Sequence, residues 1–249
     1  MINNDLLSII IASSYVLAIY YEQPQNLKNL NRNNLQVLKY RLKRVSLLCA
    51  LLILIIPNII GESSYVENLK SIGIIPKNLK SIGNSLIFIL IIYSSSIFKL
   101  LYTSNYQLID FDQHWLIHFR DYIFAPITEE LIYRGIVIFV SGIKWYTPFL
   151  FGIAHLHHGY QMYTEQQPIF RIFLVVLLQL SYTSLFGYLS QKIYVKYDYN
   201  LWCSILTHSI CNLFGLPELK LDCKCPGGNI IFYTLLVIGF IAFIHELVV

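Results

Sequence analysis

Long apolar runs recur along the whole chain, and few charges interrupt them. Of the 249 residues, 56% are hydrophobic and 13% are charged, whereas a typical soluble domain is about 25% charged. A membrane-crossing helix needs about 20 apolar residues, or fewer where it is short or tilted within a bundle. This requirement gives eight candidate spans: 5–21, 45–60, 84–102, 121–141, 145–157, 169–191, 201–216 and 230–249. The sequence therefore predicts an all-α, polytopic membrane bundle of about eight helices, forming a single domain over residues 1–249.

Basic residues in the first loop predict how this bundle is oriented. Between the first two spans, a single acidic residue, Glu22, stands against a set of basic ones: Lys28, Arg32, Lys39, Arg41, Lys43 and Arg44. Because loops rich in Lys and Arg stay in the cytosol, we expect this loop on the cytosolic side and the N-terminus on the opposite side. The net charge of +4 is modest, so the expected surroundings are lipid and no nucleic-acid partner is indicated.

Two adjacent glutamates lie inside the fourth predicted span. A charged side chain at membrane depth costs roughly 2.5–3.5 kcal/mol on insertion scales, so Glu129, Glu130 and Arg134 in one apolar segment indicate a function. Glu130 and Arg134 are four residues apart and can pair on one helix face. Glu129 points about 100° away. This spacing predicts a structural carboxylate beside a chemically available one, although a small rotation of the helix would exchange the two.

Two later spans add imidazoles and a carboxamide. His155 lies near the end of the fifth span, where Gly152 allows a close helix approach, and His208 and Asn212 share one face of the seventh span. By their predicted depths, these groups and Glu129 converge on one intramembrane polar cavity. A glutamate can take a proton from water, and a histidine can orient that water. A second histidine and an asparagine can donate hydrogen bonds to a tetrahedral oxyanion. This set suffices for peptide hydrolysis.

A catalytic zinc ion is the main alternative chemistry. Two histidines and one glutamate from separate helices form a legitimate zinc set. However, Asn212 is a poor zinc ligand, and no second histidine follows at HExxH spacing. We therefore predict no metal and no cofactor. A thiol mechanism through Cys211, three residues from His208, and a transporter with a proton relay are further alternatives.

Four other histidines have less specific explanations. His157 and His158 stand at a helix end, where solvation at the membrane interface is expected. His114 and His118 precede the fourth span, and we expect them at the surface of a loop.

Three motifs, in this order, resemble those of the type II CAAX prenyl endopeptidases, the Ras-converting intramembrane proteases of the endoplasmic reticulum. The motifs are Glu129-Glu130-x-x-x-Arg134, Phe151-x-x-x-His155 and His208-x-x-x-Asn212. The fuller strings at 125–131, 151–158 and 208–212 resemble the eukaryotic branch, and the similarity runs through most of the chain.

The resemblance implies an activity, a location and a set of residue roles. It implies removal of the last three residues from CAAX proteins that carry a farnesyl or geranylgeranyl group, such as Ras-type small GTPases. It also implies an endoplasmic reticulum membrane protein whose active site opens toward the cytosol. The implied roles are base for Glu129, water activation for His155, oxyanion stabilisation for His208 and Asn212, and support for Glu130 and Arg134. The same motifs mark bacterial relatives with bacteriocin-immunity or scaffold roles, so a non-catalytic membrane scaffold is the alternative function.

Overall fold

The computed structural model describes residues 3–28, 30–102, 108–220 and 227–248, which are helical with no β-strand among them. The helices that precede the glutamates are α1 (Asn4–Tyr20), α2 (Gln25–Lys28), α3 (Leu35–Ile59), α4 (Tyr65–Ile72), α5 (Leu79–Ile92), α6 (Ser94–Tyr102), α7 (Trp115–Phe119) and the π-helix π1 (Arg120–Phe124). The others are α8 (Ala125–Glu130), the π-helix π2 (Leu131–Ile136), α9 (Val137–Ser141), α10 (Thr147–Ala154), α11 (His157–Thr164), α12 (Ile169–Lys196), α13 (Leu201–Phe214) and α14 (Gly228–Val248). The predicted all-α class is confirmed.

Three helices are long and apolar enough to cross a bilayer individually, namely α3, α12 and α14. A fourth crossing exists if α5 and α6, which meet at a bend of 67°, count as one span. Two more apolar helices, α1 and α13, are shorter. The predicted multi-pass helical bundle is confirmed, whereas the count of eight spans stays a prediction.

The segment that carries the two glutamates is longer and less regular than predicted. Residues 115–141 form one continuous helix, which begins before the predicted span 121–141 and contains π1 and π2 on either side of α8. Short π segments inside α-helices occur frequently at functional sites. The longer helix also corrects the surface loop expected for His118, which lies within α7 with its Nε2 atom buried. His114 is exposed and precedes the helix, as expected, and it caps α7 by accepting from the backbone N–H of Leu116.

The predicted span 145–157 is wrong, because the helix ends at Ala154 and a second helix, α11, follows. The 8 residues of α10 extend only about 12 Å, against a hydrocarbon core of about 30 Å. Instead of crossing alone, α10 packs against α12. A Cβ atom on Gly152 would collide with Ser184 Oγ of α12. The close helix approach predicted at Gly152 is therefore confirmed.

The main core lies between the N-terminal helix and the glutamate-bearing helix. Ile132, Ile136 and Val137 are fully buried there, in contact with a cluster that includes residues of α1 and α3. α1 packs along α3, α9 and α10, while α13 packs against α5, α8 and π1. This arrangement surrounds α8 with α1 on one side and α13 on another.

Candidate active site

Glu130 is completely buried, and both of its carboxylate oxygens have hydrogen-bonding or ion-pair partners. Its Oε1 atom accepts a hydrogen bond from His208 Nδ1 at 2.8 Å and lies 3.2 Å from Arg134 Nη1. Its Oε2 atom accepts from the Ser190 hydroxyl at 2.6 Å. The pairing of Glu130 with Arg134 expected from their spacing is present. This carboxylate thereby connects α8 to π2, α12 and α13.

Glu129 points to a different side of the helix and is less constrained. The Tyr15 hydroxyl donates to Glu129 Oε1 at 3.2 Å. The other oxygen, Oε2, lies 3.9 Å from His208 Nε2, which is beyond hydrogen-bonding distance. The side chain is 14% exposed, whereas that of Glu130 is 0% exposed. One Glu129 oxygen therefore has room for another hydrogen-bonding partner.

His155 and Glu129 line the same cavity, which has a volume of about 130 Å³. His155 Nδ1 lies 2.8 Å from the carbonyl oxygen of Phe151. Because a carbonyl only accepts, Nδ1 carries the proton and Nε2 is the acceptor in the neutral ring. The cavity therefore offers a carboxylate and an imidazole that both accept hydrogen bonds.

His208 is buried beside this cavity, between two aromatic rings. Its ring centroid is 4.8 Å from that of Phe186 and 5.8 Å from that of Phe151. Since Nδ1 donates to the Glu130 carboxylate, Nε2 is an acceptor in the neutral ring and a donor only in the imidazolium.

Asn212 is not one of the side chains that line the cavity of Glu129 and His155, but it is bonded to Asp121, which does line that cavity. It is on α13 one turn after His208, as predicted, but its side chain is exposed. Its Nδ2 atom donates to the backbone carbonyl of Asp121 at 2.8 Å. This bond connects α13 to π1 and leaves the second Nδ2 hydrogen available.

The expected solvation of His157 and His158 is wrong. Both side chains line the cavity together with Glu129, because the break after α10 lets α11 begin beside it. The ring of His157 also contacts the ring of Tyr20, with centroids 5.6 Å apart. Burial lowers the pKa of His158 to about 3, and the neighbouring His157 and Arg32 add to this effect. At neutral pH the His158 ring is therefore uncharged.

Two hydroxyl groups complete the site and were not identified from their positions in the sequence. Tyr15 belongs to α1 and Ser190 to α12, and each binds one of the two glutamates. The first of these contacts joins residues 114 positions apart, so no local spacing predicts it.

Three arginines also line the cavity: Arg32, Arg41 and Arg120. The first two belong to the basic stretch that the sequence assigns to a cytosolic loop. However, α3 begins at Leu35, so Arg41 is inside a helix and its guanidinium lies over the Tyr20 ring, 5.0 Å from the centroid. The stretch therefore contributes to the site as well as to the charge of a loop.

The zinc and thiol alternatives gain no geometric support from the described residues. Within the four described ranges, no three His, Cys, Asp or Glu side chains are grouped as metal ligands. Cys211 packs in an apolar cluster around Tyr93, although it follows His208 closely in sequence.

Comparison with known proteins gives consistent matches. The family model described as type II CAAX prenyl endopeptidase Rce1-like matches residues 110–214, a range that includes all the motif glutamates, histidines, arginine and asparagine. The CAAX prenyl protease 2 of Saccharomyces cerevisiae is 27% identical over 253 residues, which cover 85% of this chain and 79% of the yeast protein. The probable CAAX prenyl protease 2 of Schizosaccharomyces pombe is also 27% identical, over 96% of this chain and 90% of its own length. The human CAAX prenyl protease 2 is 34% identical over 43% of this chain and 34% of its own length. No solved structure matches the chain significantly.

Proposed function

We propose that this protein, as a relative of the type II CAAX prenyl endopeptidases, cleaves prenylated CAAX proteins within the membrane and releases their C-terminal aaX tripeptide. The contrast between the two adjacent glutamates supports this proposal most directly. Glu130 is buried and saturated with partners, while Glu129 shares a cavity with His155 inside a bundle of apolar helices. A membrane scaffold has no need for such a carboxylate.

In the proposed reaction, Glu129 and His155 activate a water molecule. Both present acceptors to the cavity, so each can accept one hydrogen of the same water. Tyr15 donates to Glu129 Oε1, which leaves Oε2 for the water. As Glu129 takes the proton, the hydroxyl oxygen attacks the carbonyl carbon of the prenylated cysteine itself, and a tetrahedral oxyanion forms.

We propose that His208 and Asn212 stabilise this oxyanion. Because His208 Nδ1 already donates to Glu130, His208 acts as an imidazolium that donates from Nε2. Asn212 donates its second Nδ2 hydrogen, since the first is bound to the carbonyl of Asp121. Charge-assisted donors of this kind are among the strongest hydrogen bonds in proteins. Collapse of the intermediate breaks the C–N bond, and Glu129 returns its proton to the leaving amine.

Glu130 and Arg134 have a supporting role in this scheme. Glu130 orients the His208 ring through the 2.8 Å bond to Nδ1. Arg134 lies 3.2 Å from the same carboxylate and compensates its buried charge, which would otherwise be costly.

We further propose Ras-type small GTPases as substrates, with the enzyme in the endoplasmic reticulum membrane and its site open to the cytosol. The cytosolic orientation is supported by the positive-inside rule applied to Lys28, Lys39, Lys43 and Arg44. A site at this depth lets a farnesyl or geranylgeranyl chain stay in the bilayer while the peptide tail enters the cavity.

The test is release of the tripeptide from a farnesylated CAAX peptide by the purified protein in detergent. Wild type is compared with Glu129→Gln and His155→Ala, with and without a strong chelator. Glu165→Gln is the matched control, because Glu165 is an exposed glutamate that does not line the cavity. We expect cleavage by wild type and Glu165→Gln, a loss of more than a thousandfold in both site variants, and no effect of the chelator.

Other outcomes distinguish the alternatives. Activity that a chelator removes and zinc restores would establish a zinc peptidase built on Glu129, His155 and His208. A folded wild type that cleaves no farnesylated or geranylgeranylated peptide would favour the scaffold function. Proton-coupled uptake by reconstituted vesicles, without cleavage, would indicate a transporter.

A further inference from the structure

We infer that Arg32 and Arg41 form a binding subsite for the C-terminal carboxylate of the substrate, at a fixed distance from Glu129. This inference rests on the proposed function, because it explains how an endopeptidase would place its cut three residues before the end of a chain.

The three arginines of the cavity are not equally supplied with partners. Arg120 forms a two-point pair with Asp121, with Nε–Oδ1 and Nη2–Oδ2 distances of 2.6 and 2.9 Å. Arg32 reaches the same carboxylate only at 4.0 Å. Arg41 lies over the Tyr20 ring, and its buried Nε atom has no hydrogen-bond partner in the described part of the chain.

The cavity lining therefore carries an excess of positive charge, which comes from its arginines. Two acidic side chains line the cavity. Asp121 is paired with Arg120, and Glu129 accepts a hydrogen bond from Tyr15. A guanidinium presents a planar set of donors that matches a carboxylate. Arg32 and Arg41 together offer such a surface to an anion that enters from outside.

Two helices bracket the axial separation between this cluster and Glu129. Along the continuous helix 115–141, Arg120 precedes Glu129 by nine residues, which corresponds to about 13 Å. Along α1, Tyr15 contacts Glu129 and Tyr20, five residues later, contacts Arg41, a separation of about 7–8 Å. An extended chain rises about 3.3–3.6 Å per residue. A tripeptide spans about 10 Å, which lies between these two axial separations and lets it reach from a scissile bond at Glu129 to the arginines.

The position of Arg32 is fixed by the glutamate-bearing helix itself. Arg120 Nη1 donates to the backbone carbonyl of Arg32 at 3.4 Å and to Asn33 Oδ1 at 3.0 Å. Arg120 thus acts as a positioning residue that holds the loop before α3 against π1. The two carboxylate-binding arginines lie on this loop and on α3.

The experiment compares two farnesylated peptides that differ only in the last group, a free carboxylate or a carboxamide. Both contain the same scissile bond, so kcat/KM for each isolates the contribution of the terminal charge. We expect wild type to prefer the acid by about tenfold or more, the effect of a charge-assisted hydrogen bond. Arg32→Gln and Arg41→Gln should lower kcat/KM for the acid by a similar factor, mainly by raising KM. They should change kcat/KM for the amide little. Lys43→Gln, an exposed cation on the same helix as Arg41, should change neither.

Each other result overturns the inference in a recognisable way. Equal cleavage of acid and amide by wild type would refute the subsite and leave the peptidase function intact. Absence of cleavage of either peptide would refute the peptidase function first. If the arginine variants lower kcat/KM equally for both peptides, and only in vesicles that contain phosphatidylserine, the cluster binds lipid headgroups instead. Should Arg41→Gln fail to fold, Arg32→Gln decides alone, because the Arg32 side chain is 42% exposed.

Discussion

Glu129 and Glu130 are neighbours in sequence but have opposite surroundings. Glu130 has no exposed surface and holds His208, Arg134 and Ser190 around it. Glu129 has only the Tyr15 hydroxyl within hydrogen-bonding distance among the described side chains. One glutamate therefore stabilises the packing of four segments, and the other is available for chemistry.

This contrast predicts that the same substitution lowers the free energy of unfolding much more at Glu130 than at Glu129. Glu130→Gln removes the charge that compensates Arg134, and breaking a buried ion pair costs about 3–5 kcal/mol. Glu129→Gln changes only the acceptor of the Tyr15 hydroxyl and a 3.9 Å contact with His208 Nε2, so we expect its free energy of unfolding to change by less than about 1 kcal/mol. Thermal unfolding in detergent measures the difference. A larger loss of stability in Glu129→Gln than in Glu130→Gln would reverse the two assignments.

Tyr15 gives a second prediction, because its hydroxyl is the donor that orients Glu129. A hydrogen bond to a charged group contributes about 1.5–3 kcal/mol, so Tyr15→Phe should lower kcat by about 10- to 100-fold with little change in KM. The ring itself stays packed, edge to face, against Tyr133 at 6.2 Å.

Tyr133→Phe is the matched variant for this measurement. Its hydroxyl donates to the backbone carbonyl of Ala12 at 3.1 Å and makes no hydrogen bond to Glu129. We expect it to lower the free energy of unfolding by about 1 kcal/mol, with a smaller effect on kcat. Equal kinetic effects of the two phenylalanine substitutions would show that Tyr15 acts only through packing.

A repeated hexapeptide shows how the same residues can form different parts of a helix. The sequence of residues 68–73 recurs at 78–83. In the first copy the hexapeptide ends α4, and Gly73 caps it with φ +83°. In the second copy Asn78 caps the start of α5 by accepting from the backbone N–H of Lys80. The surroundings of each copy decide which role its glycine has.

We expect a glycine-to-alanine substitution to have opposite effects in the two copies. At Gly73 an added Cβ would meet the carbonyl oxygen of Tyr199 in a left-handed backbone conformation, which costs about 2–4 kcal/mol in all. At Gly83 no atom lies within 4 Å of the added Cβ, and alanine favours a helix interior by up to about 1 kcal/mol. Unfolding of the two variants, followed by circular dichroism, measures both effects. A stable Gly73→Ala protein would contradict the packing of α4 against the 197–201 turn.

The same distinction explains which features could be predicted from the sequence. Spacing within one helix predicts neighbours on that helix, so the Glu130–Arg134 pair and the shared face of His208 and Asn212 followed from the motifs. Contacts between helices depend on packing, and no periodicity encodes them. The contact of Tyr15 with Glu129 was therefore not predicted, and neither was the position of the three arginines in the cavity lining. The early end of α10 was also missed, although the polar residues His155, His157 and His158 follow it in the sequence.

Membrane anchoring and chemistry are divided between different helices of this bundle. The long apolar helices α3, α12 and α14 contribute none of the proposed catalytic side chains. Those side chains come from shorter or irregular segments: α8 with its flanking π-helices, the end of α10, and α13. The site geometry therefore depends on how the short segments pack against the long ones.

The contact between α10 and α12 is the clearest case, since it fixes the position of His155. At Gly187 of α12, an added Cβ would lie 2.7 Å from the carbonyl oxygen of Pro148 in α10. Such overpacking costs about 1–3 kcal/mol, and backbone atoms can relieve it only if the two helices separate. A displacement of about 1 Å from the productive geometry can reduce a rate about a hundredfold.

Gly187→Ala should therefore lower the rate of tripeptide release by about tenfold or more while the protein remains folded. Ser181→Ala, on the exposed face of the same helix, controls for a change in α12 that leaves the contact with α10 intact, and it should retain wild-type activity. The measurements are kcat for a farnesylated CAAX peptide and thermal unfolding of both variants in the same detergent. Full activity of Gly187→Ala would mean either that the position of His155 does not depend on this contact or that His155 is not needed for the reaction. The activity of His155→Ala separates these two explanations.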